Sequence, residues 1–314
     1  MISTPVAFFV FNRPELTSRV FERIRQAQPT KLFVVCDGAR QDRPEDEAKV
    51  AAVREIVSRV DWPCEVKRNY AESNMGCRQR VASGLNWVFA QVEEAIILED
   101  DTLPDSSFFP FCQELLKRYR DDPRVMHIGG CNLAAPHMKL RESYWFTRHA
   151  WIWGWATWRR AWKLYDFEMR TWEDRLPLLE RTFACRWERQ YWLSSWQECR
   201  LDPKKANTWD FPWMYSVRAS DGLAILPRVN LIENIGIGAD ATHTTDENLA
   251  GSLALPAEKV SFPLVHPSGM NIAPFRDNVF TAVRGGGAMG SMARLRLWAQ
   301  TVFSGHLQCS MSER

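Results

Sequence analysis

Apolar runs separated by polar and glycine breaks recur through the first part of the chain, and their spacing alternates between the strand and helix periods. Pro5 to Phe11 is continuously apolar, as expected of a strand covered on both faces. Asn12-Arg13-Pro14-Glu15 breaks it, and Pro14 suits the first turn of a helix reaching about Gln26. Lys31 to Cys36 predicts a second strand, stopped by Asp37-Gly38. Beyond the charged loop 39–47, Val50, Val53, Ile56, Val57 and Val60 recur at helical spacing. Cys64 to Asn69 reads as a third strand, and Val81, Leu85, Val88, Phe89 and Val92 mark the next helix face. The apolar run Ala95-Ile96-Ile97-Leu98 then ends in Glu99-Asp100-Asp101, with Pro104 expected to stop the strand. Phe108, Phe111, Cys112, Leu115 and Tyr119 predict another helix, and Val125 to Ile128 a strand closed by Gly129-Gly130.

Strands alternating with helices predict an α/β fold, Rossmann-like, with a mainly parallel sheet flanked by helices. Ligands of such sheets bind beyond the carboxyl ends of the strands. The residues following the predicted strands are Asn12-Arg13, Asp37-Gly38, Glu99-Asp100-Asp101 and Gly129-Gly130. Chemistry-bearing residues thus converge on the edge where a ligand belongs.

The second half changes character. The stretch from Trp151 to Trp162 is too aromatic and irregular at its start for a simple amphipathic helix. From Ala156 onward, Trp158, Ala161, Trp162 and Tyr165 share a helical face. Further helices are expected over Arg181 to Cys199 and Asn207 to Ala219, then short extended pieces over Leu223 to Pro227 and Val229 to Ile235. The expected organisation is residues 1–135 as a ligand-binding half built on the sheet, 136–275 as a Trp-rich half of the same domain, and 276–314 as a tail. In that tail Gly285-Gly286-Gly287 would be a joint, and Leu295, Trp298 and Val302 could line a basic amphipathic helix giving weak peripheral membrane association.

Composition removes several classes of function. With 314 residues, 46% hydrophobic and 25% charged, the chain is ordinary globular material able to bury a core. A net charge of +2 without a basic stripe argues against nucleic-acid binding. No apolar run is long enough to span a bilayer, and no basic region precedes the first strand. The expected location is the cytoplasm, or the inner face of the membrane. The 8 cysteines, scattered without a C-x-x-C pair, read as reduced thiols. Of the 15 tryptophans, 12 fall between Trp145 and Trp213, where packing and stacking on sugar rings both suit the indole.

The acidic triplet is the costly feature. Adjacent carboxylates repel one another, and raised pKa values or a bound cation hold such groups together. Asp101 is the candidate direct ligand, with Glu99 or Asp100 on the substrate side. Hard cations such as manganese or magnesium suit carboxylates and also take phosphate oxygens. The plain alternative is a solvated turn closing a strand.

Pro5 to Arg13, Asp37-Gly38, Asn74-Met75-Gly76, Ile96 to Asp101 and Trp209-Asp210 together resemble nucleotide-sugar-dependent glycosyltransferases of the A-type fold. The nearest likeness is to family 2-like enzymes and N-acetylglucosaminyltransferase I, over roughly residues 5–245. The resemblance implies a fold of that type, a divalent metal, a nucleoside diphosphate sugar donor (a UDP-sugar favoured) and a glycan or lipid-linked glycan acceptor. It assigns Asp101 to the metal and donor diphosphate, Asp37 to the nucleobase, and Arg13, with the neighbouring Asn12, to the base pocket. Trp153-Gly154-Trp155 would shape the donor-sugar and acceptor region. Asp210 matches the position of the general base, although Asp-Phe-Pro stands where N-acetylglucosaminyltransferase I has adjacent acids. A helix N-cap is the alternative for Asp210. His243 could complete the metal sphere or be structural; Asn74 and Arg78 could position phosphates, and His127 reads as core.

The expected activity is therefore metal-dependent, inverting sugar transfer, in surface polysaccharide or glycan synthesis. A sugar-nucleotide nucleotidyltransferase would share the sheet but should carry a glycine-rich basic loop after the first strand, which Asn12-Arg13-Pro14 is not. A non-catalytic carbohydrate-binding or scaffold protein is the remaining alternative.

Overall fold

The computed structural model describes residues 1–183, 185–237 and 255–284. Its centre is an eight-stranded sheet built from β1 (Val6–Val10), β2 (Lys31–Cys36), β3 (Glu65–Tyr70), β4 (Glu94–Glu99), β6 (Val125–Gly129), β7 (Tyr144–Thr147), β8 (Trp155–Trp158) and β9 (Leu223–Pro227). The strand order is β3-β2-β1-β4-β8-β6-β9-β7. β1 to β4 are mutually parallel where paired, β6 and β9 are parallel, and β8 runs antiparallel to both β4 and β6. β7 runs antiparallel to β9 at the sheet edge. The α/β fold with a mainly parallel, helix-flanked sheet is thus present.

Every residue of β1 is buried, which explains its unbroken apolar sequence. Each such side chain contributes roughly 1.5–3 kcal/mol by leaving water. Helix α1 (Pro14–Ala27) begins with Pro at its first position and buries Thr17, Val20, Phe21 and Ile24 at helical spacing. Helices α2 (Glu45–Ile56), α3 (Cys77–Phe89) and α4 (Phe108–Arg118) follow in the expected alternation.

The aromatic stretch differs from expectation. Trp155 to Trp158 is a strand, β8, wedged antiparallel between two parallel strands, and only Arg159–Trp162 (α5) is helical. Trp158, Ala161 and Trp162 imitate one helical stripe because a strand end and a single helical turn abut. Once buried, the strand hydroxyl of Thr157 donates to the Met126 carbonyl at 2.6 Å and Trp158 Nε1 to the Leu116 carbonyl at 3.2 Å. Tyr144–Thr147, ahead of the aromatic stretch, is likewise a strand.

Farther along lie α6 (Trp172–Leu179), α7 (Arg186–Leu201), α8 (Pro203–Ala206) and α9 (Asp210–Ala219). α7 begins five residues later than expected and α9 three, Pro203–Ala206 forming its own turn of helix. Pro104 does not end the chain's extended path: Thr102–Pro104 (β5) pairs antiparallel with Ile232–Asn234 (β10) in a second, two-stranded sheet. Residues 274–284 form a closing helix, so the expected tail begins inside it; Phe280 is fully buried there. The proposed amphipathic stretch at Leu295, Trp298 and Val302 lies outside the described residues.

The seven described cysteines are all free thiols. No described helix is long and apolar enough to cross a membrane.

Candidate functional site

The parallel strands end along one edge of the sheet, and their trailing loops build the site. β4 carries Glu99 to that edge, where the chain turns through Asp100 and Asp101 into β5. Thr102 locks the turn: its hydroxyl donates to the Glu99 carbonyl at 3.0 Å and accepts from the Glu99 N–H at 2.9 Å.

Arg13, at the foot of α1, reaches both following acids. Its guanidinium contacts Asp100 and lies 3.1 Å from Asp101. Asp100 is 2% exposed and also accepts the Phe11 N–H at 3.3 Å. Burial alone would lower the Arg13 pKa, but Asp100 and then Asp101 outweigh it and raise it. Burial raises Asp100, opposed by Arg13. Glu99 is pushed well up, first by burial and then by Asp101, Asp100 and Asp210.

Asp210 therefore belongs to the same electrostatic field as the triplet. It is the first residue of α9, not its cap, which is Trp209. The Thr208 hydroxyl donates to it, and the Tyr165 hydroxyl donates to the neighbouring Trp209 carbonyl at 2.9 Å. Across from it stands the start of α3. Cys77 there is raised by burial and then by Glu99, Asp210, Asp101 and Asp37, so the acids surround this thiol from several loops. Gly76 precedes it at φ +77°, a conformation that favours glycine, and a Cβ there would come within 3.5 Å of Asn207 Oδ1.

The remaining expected residues are placed as follows. Asp37 is 5% exposed and organises the loop before α3: it accepts from the N–H groups of Gly38 and Met75 at 2.9 Å each and Gly76 at 3.1 Å, and from Asn74 Nδ2 at 3.1 Å. Desolvation nevertheless raises its pKa. Asn12 donates to Asp46 Oδ1 at 2.7 Å. Arg78 donates to the Phe167 carbonyl at 2.7 Å and lies 4.0 Å over its ring.

Trp153 is half-buried, whereas Trp155 is wholly inside, stacked on His127 and on Trp209. Only Trp153 of that pair keeps an exposed surface. Gly154, at φ +57°, passes so close to Ile232 that a Cβ would meet its Cδ1 at 2.4 Å. His127 is core, as expected. His243 lies outside the described residues, but the chain leading toward it crosses the acids: the Ile235 N–H donates to the Asp101 carbonyl at 2.8 Å, and a Cβ on Gly236 would meet Asp101 Oδ2 at 2.6 Å.

Two participants were not anticipated. Asp46, fully buried, binds Arg40 at 2.6 Å as well as Asn12, and Arg40 chiefly holds its pKa down to about 2. In Glu45-Asp46-Glu47 nothing distinguishes it from a solvated charge run. Tyr165 was read only as part of a helical stripe.

Among the described residues no three His, Cys, Asp or Glu side chains form a ready metal-holding group. The donor chemistry still fits a hard divalent cation, because Glu99 is raised by the neighbouring charges of Asp101, Asp100 and Asp210, and carboxylate oxygens are the ligands such a cation takes.

No family model matches the chain, and no curated protein does. Among solved structures it is similar to UDP-glucose pyrophosphorylase complexed with UDP-glucose, at 10% identity over 72% of this chain and 90% of that one, TM-score 0.36. The apo form of a UDP-glucose pyrophosphorylase gives 11% identity, 71% and 90% coverage and a TM-score of 0.36. A 4-diphosphocytidyl-2C-methyl-D-erythritol synthase from Anaerococcus prevotii gives 8%, 56%, 77% and 0.32. These values are too low to assign the chain to either enzyme family.

Proposed function

We propose that this chain is a metal-dependent glycosyltransferase that moves a sugar from a nucleoside diphosphate sugar, a UDP-sugar favoured, to a hydroxyl of a glycan or lipid-linked glycan with inversion. The observation that carries the reading is that the charge of Asp210, remote from the triplet in sequence, acts on Glu99 and on Cys77 at the start of α3. A scaffold gains nothing from bringing so many acids together.

In this reading Asp101, with His243 as its expected companion, would hold manganese or magnesium, and Glu99 or Asp100 would face the donor. When bound, the cation supplies countercharge for a leaving diphosphate. Arg13 holds Asp100 and Asp101 in place and opposes the rise of the Asp100 pKa. Asp37 holds the loop that presents Asn74 and Arg78 on the nucleotide side. Asp210 accepts the proton of the acceptor hydroxyl as its oxygen bonds to the anomeric carbon and the bond from that carbon to the diphosphate oxygen breaks.

The nucleotidyltransferase reading is disfavoured by the connection from β1 to α1. Phe11, Asn12 and Arg13 alone span it, which leaves no room there for a glycine-rich phosphate loop.

The test is a thermal-shift panel of UDP, GDP, CDP and TDP, with and without manganese, on wild type and Asp101→Ala. A shift that needs one nucleotide, the metal and Asp101 is expected. No shift with any nucleotide sinks the reading in favour of the scaffold. Release of pyrophosphate from a nucleoside triphosphate and a sugar 1-phosphate would replace it with nucleotidyl transfer. Asp210→Asn should keep the nucleotide shift yet lower transfer by roughly 10²- to 10⁴-fold.

A further inference from the structure

Outside the acidic site, a cleft of about 560 Å³ runs along the outer face of α3 against the segment that follows β8. That volume is within the range of small-molecule sites, roughly 300–1,000 Å³. One wall carries the half-buried Tyr165 stacked on Trp162, their centroids 4.2 Å apart, with Phe167 beyond. The other wall carries exposed amides: Gln79, and Asn86, which accepts from Trp162 Nε1 at 2.8 Å. Among the described residues no carboxylate lines the cleft, and Lys163 stands exposed on its rim.

Ring faces opposed by amides are the chemistry of a sugar chain, which offers apolar C–H faces and peripheral hydroxyls together. A lipid tail would use the aromatic wall and leave the amides nothing to bond. One wall residue also ties the cleft to the site. Tyr165, in its wall, donates through its hydroxyl to the carbonyl of Trp209, directly before Asp210. At the same end, Arg78 clasps Phe167 and thereby ties the start of α3 to the wall.

We infer that this cleft binds an oligosaccharide, with Tyr165 and Phe167 as the stacking wall, backed by the buried Trp162, and Gln79 and Asn86 as hydroxyl partners, and that it holds the acceptor chain for Asp210. The word acceptor rests on the transferase reading; the sugar site does not. The absence of acids and the presence of Lys163 admit anionic sugars as well as neutral ones.

The full chain labelled with 5-fluorotryptophan tests this by fluorine NMR, the Trp162 resonance being assigned with Trp162→Phe. Chitotetraose, maltotetraose, a hyaluronan tetrasaccharide and dodecyl phosphate are titrated in turn. A saturable shift of Trp162 with at least one saccharide is expected, weakened at least about tenfold by Ser83→Arg, which projects into the cleft. The exposed Gln79→Trp serves the same purpose should that variant fail to fold. No shift with any saccharide, a shift only with dodecyl phosphate, or a saccharide shift unchanged by both filling variants would overturn the site. Saccharide binding in a protein that shows no nucleotide shift would leave the cleft standing and remove the transferase reading.

Discussion

The guanidinium of Arg13 joins the buried Asp100 to the half-exposed Asp101, so one cation holds two consecutive carboxylates at the end of β4. Arg13→Met removes the partner and leaves Asp100 2% exposed and uncompensated. Breaking a buried pair from one side costs about 3–5 kcal/mol. Protonation of Asp100 relieves that cost, because burial already raises its pKa and Arg13 is what opposes the rise. Urea denaturation should therefore find the variant far less stable than wild type at pH 8 and closer to it at pH 5. Equal losses at both pH values would mean that Asp100 does not titrate with the pair.

Gly236 lies against that same pair, with room for no more than a hydrogen. A Cβ there would meet Asp101 Cβ and Oδ2 at 2.6 Å and Arg13 Nη1 at 2.9 Å. Gly236→Ala should displace the carboxylate and lose the metal-dependent nucleotide shift, while the unfolding free energy without ligand falls by only about 1–3 kcal/mol, the usual cost of overpacking. A preserved nucleotide shift would separate Asp101 from donor binding.

How far the fold was legible depended on how directly each residue's environment shows in its neighbours. β1, β2 and β4 are buried on both faces and so are continuously apolar, and the acids that follow β4 cannot be mistaken for core. β8 was misread because Trp158 at its end falls at helical spacing from Ala161 and Trp162; its identity as a strand is decided by pairing with β4 and β6, which no local window contains. Asp46 was invisible for the same reason. Its partners Asn12 and Arg40 make it a buried anion, while Glu45 and Glu47 beside it are solvated. Tyr165 gained meaning only once its hydroxyl was found on the Trp209 carbonyl.

The closing helix gives a second pH-dependent group. Asp277 is 4% exposed, accepts from the Thr147 hydroxyl at 2.5 Å, and is raised to about 7, chiefly by burial. A folded pKa above the unfolded value means that the native state binds the extra proton between roughly pH 4 and 7, so stability falls as pH rises through that window. Asp277→Asn keeps the acceptor and removes the titration. Chemical denaturation from pH 4 to 8 should show wild type falling behind the variant by at most about 1.4 kcal/mol per pH unit up to pH 7. Parallel curves would refute the assignment.

His127 contributes the opposite slope. It is fully buried, with Nε2 2.9 Å from the Trp151 carbonyl and Nδ1 3.2 Å from Trp213 Nε1, which fixes the neutral tautomer bearing its proton on Nε2. Burial lowers its pKa to about 3. The unfolded chain then takes up a proton that the native state refuses between roughly pH 6.5 and 3, so stability falls as pH drops through that window. Between about pH 4 and 6.5 the contributions of His127 and Asp277 cancel, and wild type should look nearly indifferent to pH on their account. Each substitution unmasks the other group: Asp277→Asn should become steeply acid-sensitive below pH 6.5, and His127→Gln should gain stability on acidification relative to wild type. The His127→Gln protein should also be less stable at neutral pH, by about 1–3 kcal/mol, because the Trp151 carbonyl and Trp213 indole lose their fitted partner. In the double variant both of these slopes should vanish, and the pH dependence that remains should belong to the other shifted acids, Glu99, Asp100, Asp37 and Asp46.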